Sequence, residues 1–376
     1  MSFFKFEIIY KSKISNARVG KIYTKHGEIN TPSFVAVGTN GVLKALDNIL
    51  LNNIDLDLMF CNTYHLMLHP GTDTIKNSGG IHKFINRNKP IITDSGGFQV
   101  FSLAYKSVNN ELKSKGSKHS KNSIIKIDEN GVYFRSYRDG SLVLLTPEIS
   151  VQEQKKIGAD IIIPFDELNP YHIDYNDLKK SFYRTHRWQE RSLNEHLKNI
   201  SDQAMYGVIH GSIYDNLRKE SCNILSNMQF DGLAIGGSLG KDRKEMVNML
   251  KKLMNYIPYN KPNHLLGIGD IESIENIIPL GIDTFDSSHP TKCARHGLLF
   301  TSNGNIKIIQ TKYKNIFEPI DKNCNCLTCI NYTTSYIHHL FKANEISAYN
   351  LASLHNVTFM VNLLKSYRKK ILNDEI

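Results

Sequence analysis

The chain has 376 residues, 46 lysines and arginines against 36 aspartates and glutamates for a net charge of +10, and 41% hydrophobic residues. These figures exclude a disordered or membrane-embedded chain, and the length suits either one large single-core fold of about 250 residues with an appendage or two ordinary domains. No run approaches the roughly 18 apolar residues of a transmembrane helix, and the opening MSFFKFEIIYKSK meets charge too early for a signal peptide. A cytoplasmic protein with no membrane partner is expected, its six cysteines serving as thiols or metal ligands rather than disulfides.

Eight β-rich runs recur along the chain, most of them followed by a helix-like stretch: TPSFVAV (31–37), LDLMFCN (56–62), KPIITDS (89–95), ADIIIPF (159–165), MYGVIHG (205–211), DGLAIGG (231–237), NHLLGIG (263–269) and GIDTFDS (281–287). Several are nearly continuous in apolar residues, as parallel strands buried on both faces require. Segments 214–228 and 241–255 carry helical spacing of Leu, Ile and Met. The fold class expected is α/β, a (β/α)8 TIM barrel over 1–300 with a smaller C-terminal unit over 301–376. The pattern alone leaves an open doubly wound sheet as the alternative.

Two segments hold the positive charge. Between 105 and 126 stand six lysines and one acid, and from 291 to the end stand eleven basic residues and five acidic ones, so the remainder is close to neutral. A neutral body with two basic segments points to an extended polyanion on one region of the surface; solvated loops would carry the same count. Segment 104–130 is polar and poorly periodic, and reads as an excursion over the barrel mouth with a hairpin ending in GVYFRSYRDGSL.

The tail spells Cys324-x-Cys326-x2-Cys329, followed by His355 after a stretch, 331–354, that reads as helix. Zinc takes four N or S ligands in a tetrahedron, and a tight cysteine knuckle supplies three thiolates that a histidine on a following helix completes. His338 and His339 are nearer in sequence, but fall too early on a helix that must run away and be met further on. The expected metal is one structural Zn2+, since four protein ligands leave no position for water. Cys61, Cys222 and Cys293 are read as ordinary thiols.

Three aspartates, Asp94, Asp166 and Asp286, close apolar runs, and a barrel gathers strand C-termini around one mouth. Any one of them could be an exposed loop acid. Together they offer a pair of carboxylates able to act as nucleophile and acid/base at a glycosidic carbon. The turns at Gly96-Gly97 and Gly236-Gly237 permit close backbone approach to a flat ligand.

The strings TDSGGFQVFSL (93–103), PFDELNPY (164–171), GLAIGG (232–237), FDSSHPTKCARHG (285–297) and the CxCxxC…H tail resemble the bacterial tRNA-guanine transglycosylases, the queuine tRNA-ribosyltransferase family. INTPSFVAVGT (29–39), CNTYHLMLHPG (61–71) and VYFRSYRDGS (132–141) extend the resemblance from about residue 5 to 360. It implies an irregular (β/α)8 barrel with a C-terminal zinc-binding subdomain. The implied reaction replaces guanine at the anticodon wobble position (G34) with a 7-deazaguanine base, queuine or its aminomethyl precursor preQ1, in queuosine modification of tRNA.

The resemblance also implies roles. Asp286 would be the nucleophile at ribose C1′ and Asp94 the general base. Asp166 would read the purine edge with His210, Gly236 and Gly237, while Phe98 and Leu266 would sandwich the base. Lys292 and Arg295 would meet the anticodon loop, and Cys324, Cys326, Cys329 and His355 would hold zinc. Implied partners are tRNAs with G-U-N anticodons (aspartate, asparagine, histidine, tyrosine), a free 7-deazaguanine base and a second copy of the chain in a homodimer. The chain departs from the family pattern at Phe98 (often Tyr), Leu168 (Cys), His210 (Gln), Ser287 (Cys) and Lys292 (Arg). On this alignment Gly240 is expected to leave room for the queuine substituent. A catalytically inactive tRNA-binding subunit of the same fold and a barrel glycoside hydrolase are the rival readings.

Overall fold

A computed structural model describes residues 3–104, 124–136, 138–200 and 202–376, without the side chains of 102–104. The five lysines Lys106, Lys113, Lys115, Lys118 and Lys121, expected to meet a polyanion, lie outside the described residues.

The chain starts with an antiparallel sheet that the strand pattern did not announce: β1 (Lys5–Lys11), β2 (Arg18–Thr24) and β3 (Gly27–Thr31). Its Ile22 and Ile29 pack with the inner apolar residues Val35, Phe60, Ile92, Ile161, Tyr206, Val208 and Ala234. Asp57, Asp160 and Asp283, each just ahead of a strand, bind Asn30, His26 and Arg18 of this sheet. The sheet therefore plugs the N-terminal end of the strands that follow.

Those strands are β4 (Ser33–Val37), β5 (Met59–Cys61), β6 (Ile91–Thr93), then, after β7 (Ile124–Ile127), β8 (Val132–Arg135) and β9 (Leu142–Leu145), β10 (Ile161–Ile162), β11 (Ala204–Ile209), β12 (Gly232–Ile235), β13 (Asn263–Leu265) and β14 (Thr284–Ser287). Excluding β7–β9, they pair in parallel, and β14 returns to β4 in the register Thr284 to Ser33 through Ser287 to Ala36. That closure makes a barrel and removes the open-sheet alternative. Each of the eight expected runs overlaps one of its strands.

The expected hairpin is a three-stranded antiparallel meander, β7-β8-β9. Val132, Phe134 and Leu145 pack on Tyr64, Phe101, Phe165 and Trp188, which holds it beside the helix Gly97–Ala104 at the C-terminal end of β6.

Stretch 331–354 is not one helix. Helix Thr334–Lys342 ends before Asn344, whose φ is +57°, and a second helix runs Ile346–Leu372. The left-handed Asn344 stops the first helix and turns the chain. Ala352 of the long helix joins the cluster of Cys326, Cys329, Leu299 and Ile308, whereas Val357, Met360, Leu364 and Ile371 join the core between barrel and helices. Arg368 donates to the Pro32 carbonyl (2.8 Å) at the start of β4. The C-terminal helix thus covers β4, while the helix after β14, His289–Arg295, is short. No described helix is long and apolar enough to cross a membrane.

Candidate active site

The C-terminal ends of the barrel strands bring the expected carboxylates to one mouth. Asp94 follows β6, Asp166 follows β10 and Asp286 lies within β14; β4 and β5 separate β14 from β6 in the barrel.

Asp94 is buried and well supplied with donors. Asn62 Nδ2 donates to Oδ2 (2.7 Å), the Thr63 amide to Oδ1 (2.8 Å), and the Thr63 hydroxyl to the Asp94 carbonyl (2.5 Å). Burial pushes its carboxyl from 3.8 up to about 6, against the opposing pull of Asn62, Thr63, Gln99 and Gly96. A carboxyl of that strength exchanges a proton near neutrality.

Asp286 is held differently. Its Oδ1 accepts from the Gly267 amide (2.9 Å) and faces His264 Nε2 at 3.1 Å, while Oδ2 takes no hydrogen bond among the described residues. His264 was not singled out from the sequence; the visible signal is a histidine inside the otherwise apolar run NHLLGIG, level with Thr284 on the adjacent strand that carries Asp286.

Asp166 links two strand ends. Ser95, next to Asp94, donates to Oδ1 (3.2 Å), and His210 Nε2 lies 2.9 Å from Oδ2. Gly97 lets the chain pass closely, since a Cβ there would stand 2.7 Å from the Asp166 carbonyl oxygen. Gly237 adopts φ +72°, and a Cβ on it would meet His210 Nδ1 at 3.2 Å; one on Gly236 would meet Val208 and Leu266. Phe98, in the first turn of its helix, is 46% exposed, and Leu266 is half-buried. The departures at Leu168 and Ser287 fall on partly buried positions. Gly240 opens no free room, because the space of a side chain there is occupied by Glu245, 3.0 Å from Oε2.

Arg218, another residue not foreseen, organises this wall. It is fully buried and donates to the carbonyls of Ser212 (2.8 Å), Ile209 (2.7 Å), Gly236 (2.8 Å) and Ser238 (2.9 Å). Burial lowers its guanidinium to about 10. One planar fork therefore ties the loop after β11 to the loop after β12. A small cleft lies there, bordered by Glu167, Asn169, His210, Gly237 and Ser238.

Helix His289–Arg295 carries Lys292, exposed, and Arg295, whose Nη1 donates to the Thr291 carbonyl (3.0 Å). This helix directly follows the strand holding Asp286.

The three cysteines and His355 form one cluster. His355 Nδ1 lies 3.7, 3.5 and 3.3 Å from the sulfurs of Cys324, Cys326 and Cys329. Tetrahedral zinc with ordinary bond lengths separates N and S by about 3.5 Å. His355 Nε2 lies 2.7 Å from the Phe300 carbonyl oxygen, to which it donates, so Nδ1 is left with its lone pair toward the sulfurs. The residues therefore fit a metal. His338 is turned away, with Nδ1 2.7 Å from the Ile308 carbonyl oxygen. A second group, His26, His82 and Asp160, sits at the barrel's opposite end, where direct bonds of 2.7 and 3.0 Å occupy both Asp160 oxygens.

A family model described as queuine tRNA-ribosyltransferase matches residues 13–376. The chain belongs to that family. It is 60% identical over 376 residues to a queuine tRNA-ribosyltransferase of Protochlamydia amoebophila, covering 100% of this chain and 97% of the relative. Relatives with the same name from Chlamydia caviae and Chlamydia felis are each 52% identical over 373 residues, with 99% of both chains covered. The chain is accordingly an enzyme, a pentosyltransferase.

Proposed function

We propose that this enzyme exchanges guanine at the anticodon wobble position of tRNA for a 7-deazaguanine base by double displacement. The observation that carries the reading is the contrast between two buried carboxylates at one mouth: Asp94, raised to about 6, and Asp286, whose Oδ1 is engaged and whose Oδ2 takes no hydrogen bond among the described residues.

In the first half, an Asp286 oxygen bonds to ribose C1′ as the C1′–N9 bond breaks and its electron pair passes to guanine. Asp94, in its acid form, gives the leaving base a proton. In the second half, Asp94 as carboxylate takes the N9 proton of the incoming base, N9 bonds to C1′, and the C1′–oxygen pair returns to Asp286. Asp166 and His210 read the purine edge, the backbone at Gly236 and Gly237 approaches the base carbonyl, and Phe98 and Leu266 flank the extracted ring. Lys292 and Arg295 meet the anticodon loop, where unstacked bases can be splayed and read. Zinc on Cys324, Cys326, Cys329 and His355 would supply a structural cross-link between the knuckle and the long C-terminal helix.

The test is incorporation of labelled guanine into tRNA together with a denaturing gel for a protein–RNA adduct. Wild type is expected to exchange and to form the adduct, and Asp286→Ala to do neither. Exchange persisting in Asp286→Ala overturns the nucleophile, and no exchange by wild type favours the inactive binding subunit. Competition between queuine and its aminomethyl precursor assigns the incoming base.

A further inference from the structure

The contact between His264 and Asp286 goes a step further, and it rests on the reading of Asp286 as nucleophile. His264 is completely buried in the middle of β13, level with Ala234 on β12 and Thr284 on β14, with the Phe60 ring 6.0 Å away at an interplanar angle of 19°. An imidazole in that apolar layer needs partners for both nitrogens. Nδ1 lies 2.9 Å from Thr284 Oγ1 and Nε2 lies 3.1 Å from Asp286 Oδ1.

The direction of these bonds follows from what each group can give. An ionised carboxylate only accepts, so Nε2 must carry the hydrogen that faces Asp286. Thr284 Oγ1, 2.9 Å from Nδ1 and 3.2 Å from the Asn263 carbonyl oxygen, braces the other side of the ring. Oδ1 then holds two donors, Nε2–H and the Gly267 amide, which come from the same strand and the turn after it. Two donors on one oxygen fix the carboxylate plane and draw negative charge to Oδ1, while the lone pairs of Oδ2 stay unengaged.

We infer that His264 is a positioning residue for the nucleophile: held by Thr284, it pins Oδ1 of Asp286 together with the Gly267 amide, so that Oδ2 is the atom presented to ribose C1′. It touches neither the base nor the ribose. Its removal should therefore slow bond formation without weakening substrate binding, whereas a purely space-filling role would leave the rate constant of that step unchanged in any folded variant.

The experiment compares His264→Phe, His264→Gln and Thr284→Val in the full-length protein, following the single-turnover rate of adduct formation, kcat, and KM for free guanine and for tRNA. Loss of the donor in His264→Phe is expected to slow adduct formation and lower kcat by roughly tenfold to a hundredfold, the scale of a misplaced reacting atom, with both KM values unchanged. His264→Gln, which keeps an N–H donor, should recover most of the loss. Thr284→Val should slow the same step by a smaller factor and serves as the second variant if His264→Phe does not fold. An adduct rate at the wild-type level in folded His264→Phe, or in Thr284→Val where the former does not fold, overturns the inference, as does a glutamine variant no faster than phenylalanine. Wild type that exchanges no guanine overturns the functional reading itself, a result distinguishable from an unimpaired variant of an active enzyme.

Discussion

Asp166 Oδ2 and His210 Nε2 lie 2.9 Å apart, so the carboxylate after β10 is already half engaged by the strand that follows it. With Ser95 on the other oxygen, Asp166 is held in one plane and retains acceptor capacity toward a ligand. His210 stands where glutamine is usual in the family resemblance, and both side chains can donate to this oxygen. His210→Gln is expected to keep guanine exchange near the wild-type rate. His210→Ala, losing one hydrogen bond to a charged group, should raise KM for free guanine by roughly tenfold. Steady-state kinetics with free guanine at saturating tRNA checks both.

Asp94 sets a pH dependence whose two halves have opposite sign. Its carboxyl is raised from 3.8 to about 6 by burial. The acid form, needed when guanine leaves, is lost as pH rises through about 6, so adduct formation should slow across that range. The carboxylate form, needed for the incoming base, appears across the same range, so capture of the adduct by free base should accelerate. Rapid-quench measurements of each half-reaction from pH 5 to pH 8 test this. The same shift acts on stability: between 3.8 and about 6 the folded state holds more protons than the unfolded one, so this group's contribution falls as pH rises through the window. Asp94→Asn should flatten that slope in urea titrations.

Metal removal should act on the long C-terminal helix. His355 belongs to that helix, while its sulfur partners stand on a knuckle formed by 324–329. Atomic emission should find about one zinc per chain. Cys326→Ser should abolish binding and lower the thermal midpoint by roughly 5–10 °C, as loss of a few kcal/mol does in a chain of this size.

Arg218 is expected to matter to the base pocket without contacting a substrate. Arg218→Met leaves the carbonyls of Ile209, Ser212, Gly236 and Ser238 without their shared donor. Unfolding should become easier by about 3 kcal/mol or more, because buried acceptors lose their bonds. KM for free base should rise more than kcat falls, and Arg218→Lys should recover only part, since a point charge cannot reach four carbonyls as a planar fork does.

Much of the site was legible because its residues end apolar strands. Asp94, Asp166, His210, Gly236 and Asp286 stand at or just beyond strand C-termini, where a barrel gathers them regardless of sequence separation. His264 and Arg218 were not legible, since each lies inside an element and acts through the partner that packing brings. Gly240 shows the converse: a glycine in sequence reads as empty space, yet the space belongs to Glu245.

By itself, the sequence determined the eight barrel strands, the members of the Cys3His cluster and the residue types of the mouth, because apolar runs, thiolate spacing and strand-end acids are local properties of the chain. Tertiary structure alone decided that β14 closes onto β4, that the first three strands plug the barrel floor, and that the C-terminal helix covers β4. It also decided which oxygen of Asp286 is engaged and how far Asp94 is raised. Those outcomes depend on desolvation and on donors from distant strands, and neither exists until the barrel has closed.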